Sequence, residues 1–269
     1  GTITLSGGSY TLKENTGYIN WSAITLENGA RLVVDSNDFH DQGSITVSAG
    51  SAIEGSGKIK HSMDDPGNDT GSVSVGGQEV PLDTTQLDLT EKNISDLSPL
   101  SRLTNLENLH LRGNPVSDLS PLAGLTGLRT LDLLSTQASD LTPLEGLTGL
   151  TTLFLDNTRV TDVSPLAGMT ELVQLHLDNT QVSDISPLGG MAKLTELTLC
   201  ACPVEDISAL RDMHSLKDLR LNGTRVTDLT PLYGLRLDML MVDRGQFTQQ
   251  QLDELTATQL SNFLLKYPE

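Results

Sequence analysis

Apolar residues return along most of this chain every 22 residues. From Leu128 onward they fall at unit positions one, four, six, eleven, fourteen, seventeen and twenty: Leu128, Leu131, Leu133, Ala138, Leu141, Leu144 and Leu147. Leu131-x-Leu133 is the two-residue spacing of a strand, which turns both leucines inward and the residues beside them outward. The Pro143-Leu144 step predicts a short helical turn on the opposite side, with Pro at its first position and the Ser or Thr before it as a cap. That residue is Ser98, Ser120, Thr142, Ser164, Ser186 or Thr230; in one unit Ala209 replaces Pro while Ser208 is kept. Leu87, Leu109, Leu131, Leu153, Leu175, Leu197 and Leu219 share one phase of the repeat. A period held over seven units predicts a solenoid across residues 83–243, each unit burying its apolar side by stacking on its neighbours.

The pattern changes at both ends. In residues 1–82, Ile3-Thr4-Leu5, Ile24-Thr25-Leu26 and Ile45-Thr46-Val47 are 21 apart, with Gly8, Gly29 and Gly50 in step, and likewise Thr11, Leu32 and Ile53. Alternating β-branched residues followed by Gly predict three β-solenoid coils, with a possible fourth strand at Val73-Ser74-Val75. "ITLENGARLVV" resembles the coils of bacterial surface β-solenoid proteins. The segment is expected to cap the first leucine-rich unit. In residues 244–269, Thr248 and Gln251 form a capping box, Phe247 and Leu252 a staple, and Leu252, Leu255, Leu260, Phe263 and Leu264 an apolar helical stripe. A helical cap is predicted there, divided at Thr256-Ala257-Thr258.

The Asp row, Asp96, Asp118, Asp140, Asp162, Asp184, Asp206 and Asp228, invites a catalytic or metal-binding reading. Coils stacked ~5 Å apart would set these carboxylates against one another unless each had its own partner. An Asp two residues before Ser or Thr is placed to accept that residue's backbone N–H in an Asx turn, and the same service in every unit is structural. Thr136, Thr158, Thr180 and Thr224 are expected to bond inward, and Cys202 in the same slot to be a small buried thiol. Cys200 and Cys202 should point the same way along one strand, so free thiols are expected.

The unit Leu-x-x-Leu-x-Leu-x-x-(Asn/Thr)-x-Val-x-Asp-Leu-Ser-Pro-Leu resembles the leucine-rich repeats of the internalin family of bacterial surface proteins. The resemblance implies a curved α/β solenoid with a parallel sheet on its concave side, short helical turns on the convex side, and a protein partner bound to that sheet. The chain departs from internalins in opening with β-coils rather than a helical cap, and in ending in helix rather than an immunoglobulin-like region.

Recognition in such a scaffold belongs to the outward strand positions. Position three holds Asn108, Thr130, Thr152, Gln174, Glu196 and Asp218; position five holds His110, Asp132, Phe154, His176, Thr198 and Arg220; position seven holds Arg112, Leu134, Asp156, Asp178, Cys200 and Asn222. From these, His110, Arg112, Asp132, Leu134, Phe154, Asp156, His176, Asp178, Arg220 and Asn222 are expected to contact the partner. Phe154 and Leu134 are the informative pair, large apolar groups on a face meant for solvent. His110 and His176 stand three units apart, ~14 Å by strand spacing, which is too far to share one ion.

Charge narrows the partner. The net charge is −18, with 35 acidic residues against 17 Lys and Arg. That balance disfavours nucleic acid and anionic membranes and favours a neutral or basic protein. No apolar run is long enough for a membrane span. No triad, phosphate loop or metal-ligand set stands out, so neither catalysis nor a cofactor is expected. The reading is a monomeric, secreted or surface-exposed bacterial adhesion or recognition protein. Two rivals rest on the N-terminal coils. One is glycan binding through Trp21, Tyr18 and Tyr10. The other is a polysaccharide-acting enzyme; its acidic clusters, Asp35-Ser36-Asn37-Asp38 with Asp41 and Asp64-Asp65 with Asp69, read first as solvated turns, although either offers oxygen ligands for calcium.

Overall fold

The computed structural model describes residues 71–259 and 263–268, and within residues 1–70 the backbone of eight strands. The chain forms two compact units, Gly1–Thr84 and Thr85–Glu269.

In the first unit, β1 (Thr2–Ser6), β3 (Ala23–Glu27) and β6 (Ser44–Val47) make one parallel sheet, and β2 (Ser9–Leu12), β4 (Arg31–Val34) and β7 (Ala52–Glu54) another. A third pair joins β5 (Phe39–Asp41) to β8 (Ile59–His61). Ile3, Ile24 and Ile45 align, as the 21-residue period predicts. The second sheet corrects the period. Tyr10, not Thr11, aligns with Leu32 and Ile53, because Tyr10 lies seven residues after Ile3, whereas Leu32 and Ile53 each lie eight residues after Ile24 and Ile45. The Val73–Val75 stretch is a strand, as expected. It belongs to β9 (Ser72–Val75), which folds back on β10 (Gln78–Pro81) as an antiparallel hairpin. Gly76 and Gly77 turn it at φ 57° and 80°, the left-handed pair that a two-residue hairpin of right-handed twist requires. The side chains of Tyr10, Tyr18, Trp21 and the two acidic clusters lie outside the described residues.

The second unit is a parallel sheet of nine strands in sequence order. Its members are β11 (Gln86–Asp88), β12 (Asn108–His110), β13 (Thr130–Asp132), β14 (Thr152–Phe154), β15 (Gln174–His176), β16 (Glu196–Thr198), β17 (Asp218–Arg220), β18 (Met239–Met241) and β19 (Leu264–Lys266). Leu109, Leu131, Leu153, Leu175, Leu197 and Leu219 pair in a row, each with no exposed surface. The second leucine of each strand unit, Leu111 to Leu221, is equally buried. Opposite the sheet run seven 3-10 turns, from Ser98–Arg102 to Thr230–Leu232, each contributing a buried leucine.

The Asp row does what its spacing predicts. In all seven units Oδ1 accepts the backbone N–H of the Ser or Thr two residues on, at 2.7–2.9 Å. Capping by that Ser or Thr is not seen: each turn begins at the residue itself, and no side chain caps it. The carboxylate has taken the role, and the Ser164 and Thr230 hydroxyls bond back to it. The inner slot is filled as expected. Thr136, Thr158, Thr180 and Thr224 each donate to the carbonyl three residues earlier at 2.6–2.8 Å. Asn114 reaches further, donating to Leu89 and Leu111 and accepting from Ile94.

Unit position eight is left-handed throughout, at Glu91, Gly113, Ser135, Asn157, Asn179, Ala201 and Gly223. This bend overturns the expectation for the cysteines. Ala201, at φ 58°, breaks the alternation, so half-buried Cys200 bonds outward to Asn222 while buried Cys202 bonds inward to the Leu177 carbonyl. Both thiols are free.

At the C-terminal end, α1 (Gln249–Thr258) starts with the predicted capping box at Thr248 and Gln251. Phe247, Leu252 and Leu255 are buried, but the stripe does not continue. Leu264 lies in β19, which extends the sheet beside β18, and its side chain is 55% exposed. The Thr-Ala-Thr sequence ends α1 at Thr258, and Leu260 lies outside the described residues.

Candidate functional site

The outward face of the nine-stranded sheet gathers the residues that packing leaves free. Along β12 to β17 the burial pattern has one buried leucine between two partly exposed neighbours, except at Thr198. Arg112 is exposed, and His110, Asp132, Leu134, Phe154, His176, Asp178, Arg220 and Asn222 are half-buried. Asp156 departs from the expectation. It is only 7% exposed, and its Oδ1 accepts the Asp178 backbone N–H at 2.8 Å. Asp178 in turn accepts the Cys200 N–H at 2.7 Å, and Asp132 accepts the Leu134 N–H at 2.9 Å. These position-seven and position-five acids hold the strand ends in place, so Asp156 is a structural carboxylate more than a contact residue.

The centre of the face is a contiguous side-chain network. Phe154 meets the His176 ring edge-on, with centroids 4.7 Å apart and planes at 83°. His176 Nε2 lies 3.0 Å from Glu196 Oε1, and its Nδ1 3.8 Å from Asp156 Oδ2. Gln174 donates to the other Glu196 oxygen at 2.9 Å. Arg220 spans Asp218 at 3.6 Å and Glu196 at 4.0 Å. A second pair, His110 and Asp132 at 3.7 Å, stands toward the N-terminal side of the sheet. The register brings Phe154 and His176 together on adjacent strands and keeps His110 two strands further off.

Burial shapes the electrostatics. It is the largest influence pushing the Asp156 carboxyl above its ordinary range, with the Asp178 carboxylate adding to the rise. Burial likewise raises Asp218, with Glu196 adding and Arg220 opposing. The Cys200 thiol is pushed up to about 12, first by burial and then by Asp178. A thiol held protonated in this way is a poor nucleophile. Among the described residues no group of three or more His, Cys, Asp or Glu is arranged to hold a metal ion.

Gln174, Glu196 and Asp218 complete this network, with Thr198 opposite Arg220 beside it, and none of the four was among the expected contacts. A signal for them exists in the sequence. Glu196 and Asp218 occupy position three of adjacent coils, beside the position-five Arg220, and directly facing strand residues interact.

Comparison with known proteins agrees with the geometry. The family described as leucine-rich repeats (2 copies) matches residues 85–124, 104–146 and 148–190. The fold is similar to an internalin, inlF, of Listeria monocytogenes, with 28% identity and a TM-score of 0.62 over 72% of this chain and 59% of that one. It is also similar to internalin C2 of Listeria monocytogenes, with 40% identity and a TM-score of 0.56 over 58% of this chain and 70% of that one. The chain thus spans less than two thirds of the first of these proteins. No curated protein matches it. Among the described residues no helix is long and apolar enough to cross a membrane.

Proposed function

We propose that this chain, whose leucine-rich repeats are similar to those of internalins, is a non-enzymatic recognition scaffold of a bacterial surface or secreted protein, binding a protein partner across its concave sheet. The observation that carries this reading is Phe154. Its ring is held half-exposed on the concave side by edge-on packing against His176, while the leucines on either side of it are fully buried. Aromatic groups fixed in this way, ringed by polar side chains, are what anchor protein interfaces. Leu134, half-buried on the neighbouring coil, adds apolar area to the same face. The net charge of −18 favours a neutral or basic partner.

The test uses proteins captured from the bacterium's own envelope and from host extracts, with binding measured by surface plasmon resonance. Phe154→Ala combined with Leu134→Ala weakens binding at least tenfold, and the melting temperature stays close to that of the parent. Leu153→Ala, one residue away but facing inward, costs ~2–5 kcal/mol of stability because it opens a cavity between coils. Unchanged binding by the double variant, or a loss of stability like that of Leu153→Ala, would contradict the proposal.

A further inference from the structure

Three buried side-chain polar atoms among the described residues have no hydrogen-bond partner: the Thr198 hydroxyl, Asp218 Oδ1 and Arg220 Nε. All three lie on β16 and β17, where Thr198 stands opposite Arg220 and Glu196 opposite Asp218. Thr198 is 1% exposed, yet it does not belong to the leucine core. Leu197 and Leu199 on either side of it point inward and are fully buried, so alternation turns Thr198 to the concave side, between His176 and Arg220. Leaving buried polar atoms unpaired is costly, and native proteins hold few of them. Asp218 Oδ1 and Arg220 Nε face each other at 3.6 Å, an ion pair too long for a hydrogen bond, and the Thr198 hydroxyl beside them has no partner, which marks a place whose hydrogen bonds are completed by a ligand.

The charges around the slot select that ligand. Glu196 and Asp218 both face Arg220, and Lys266 acts on Asp218 only as a weaker, more distant charge. Arg220 holds its partners loosely, at 3.6 and 4.0 Å, beyond hydrogen-bond reach, and its side chain is 36% exposed. A carboxylate brought to Arg220 would meet two like charges, Glu196 and Asp218. An ammonium or guanidinium would find acceptors at Asp218 and Thr198 and attraction from Glu196, and a displaced Arg220 would hydrate its Nε. We propose that this slot anchors a cationic side chain, a lysine or arginine of the protein partner, which replaces Arg220 as the counter-ion of Asp218 and bonds the Thr198 hydroxyl. The proposal rests on the concave sheet being the binding face and names the chemistry it reads.

Titration of the full chain with n-butylammonium, a lysine side-chain mimic, followed by amide resonances in NMR, tests it, with valerate and butyramide as controls. Butylammonium shifts the amides of residues 196–200 and 218–222 saturably, and the controls do not. Thr198→Val and Asp218→Asn weaken that response at least tenfold. Thr198→Val also raises the melting temperature, because it removes an unpaired buried hydroxyl; a merely structural threonine would lose stability. Arg220→Gln strengthens butylammonium binding several-fold by removing the resident counter-ion. Equal shifts from valerate or butyramide, a wild-type response in Thr198→Val, or weaker binding in Arg220→Gln would overturn the assignment. A partner lost on changing Phe154 with no butylammonium response removes the cation anchor alone. A butylammonium response with a partner indifferent to Phe154 removes the scaffold reading alone.

Discussion

Ala201 carries a β-carbon at φ 58°, a conformation that L-residues other than Gly and Asn adopt at a cost of ~1–2 kcal/mol. The preceding units place Asn157 and Asn179 at the same bend, and the following one places Gly223. Gly223 has little choice, since an added β-carbon would lie 3.0 Å from the Ala201 backbone. Ala201→Gly therefore stabilises the protein by about 1 kcal/mol, seen as a higher urea midpoint. A lower midpoint would show that the alanine methyl contributes packing the bend needs. This bend also limits what alternation can reveal. Counting residues puts Cys200 and Cys202 on one side, whereas a left-handed residue between them separates the two. Alternation gives the direction of Asp156 and Thr198 but not their cover, which comes from neighbours 22 residues away in the chain.

At the scale of one coil, the Asx turn is the recurrent device, and it sets an acid dependence. Hydrogen bonds from Ser120, Thr142 and Ser186 hold Asp118, Asp140 and Asp184 below the ordinary carboxylate range. An acid with a depressed folded pKa contributes stability that is complete above its unfolded value and lost as pH falls through the folded one. Asp156 and Asp218, raised by burial, act in the opposite sense: protonation favours their folded form. Thermal melts at descending pH should therefore show the loss setting in as pH falls through the ordinary carboxylate range and becoming complete below it. Asp140→Ala lowers the melting temperature at pH 7, while Asp140→Asn, which keeps the accepting oxygen, largely preserves it and flattens the acid dependence. Equal losses in both variants would assign the role to charge instead of the turn. This device was legible in the sequence because it is local: acceptor and donor are two residues apart in every unit. Strand β19 was not, because Leu264 fits a helical stripe as well as a strand, and only the open edge of β18 decides between them.

Over the whole molecule, periodicity fixes the solenoid, and the family resemblance agrees with the coordinates over the leucine-rich unit. The N-terminal repeats have a shorter and less regular period, and a one-residue difference in spacing, Ile3 to Tyr10 against Ile24 to Leu32, moves the pairing of a whole sheet. The proposed binding face is legible for a different reason: inward leucines are dictated, so the residues between them record another demand. The most direct measurement replaces Phe154, His176, Glu145 and Ala167 one at a time with a photo-crosslinking amino acid and irradiates the protein with its captured partner. Phe154 and His176 lie on the concave strands, and Glu145 and Ala167 beside the 3-10 turns of the opposite side. The account predicts covalent capture of the partner from the first two positions and not the last two. Capture from Glu145 and Ala167 alone would contradict it.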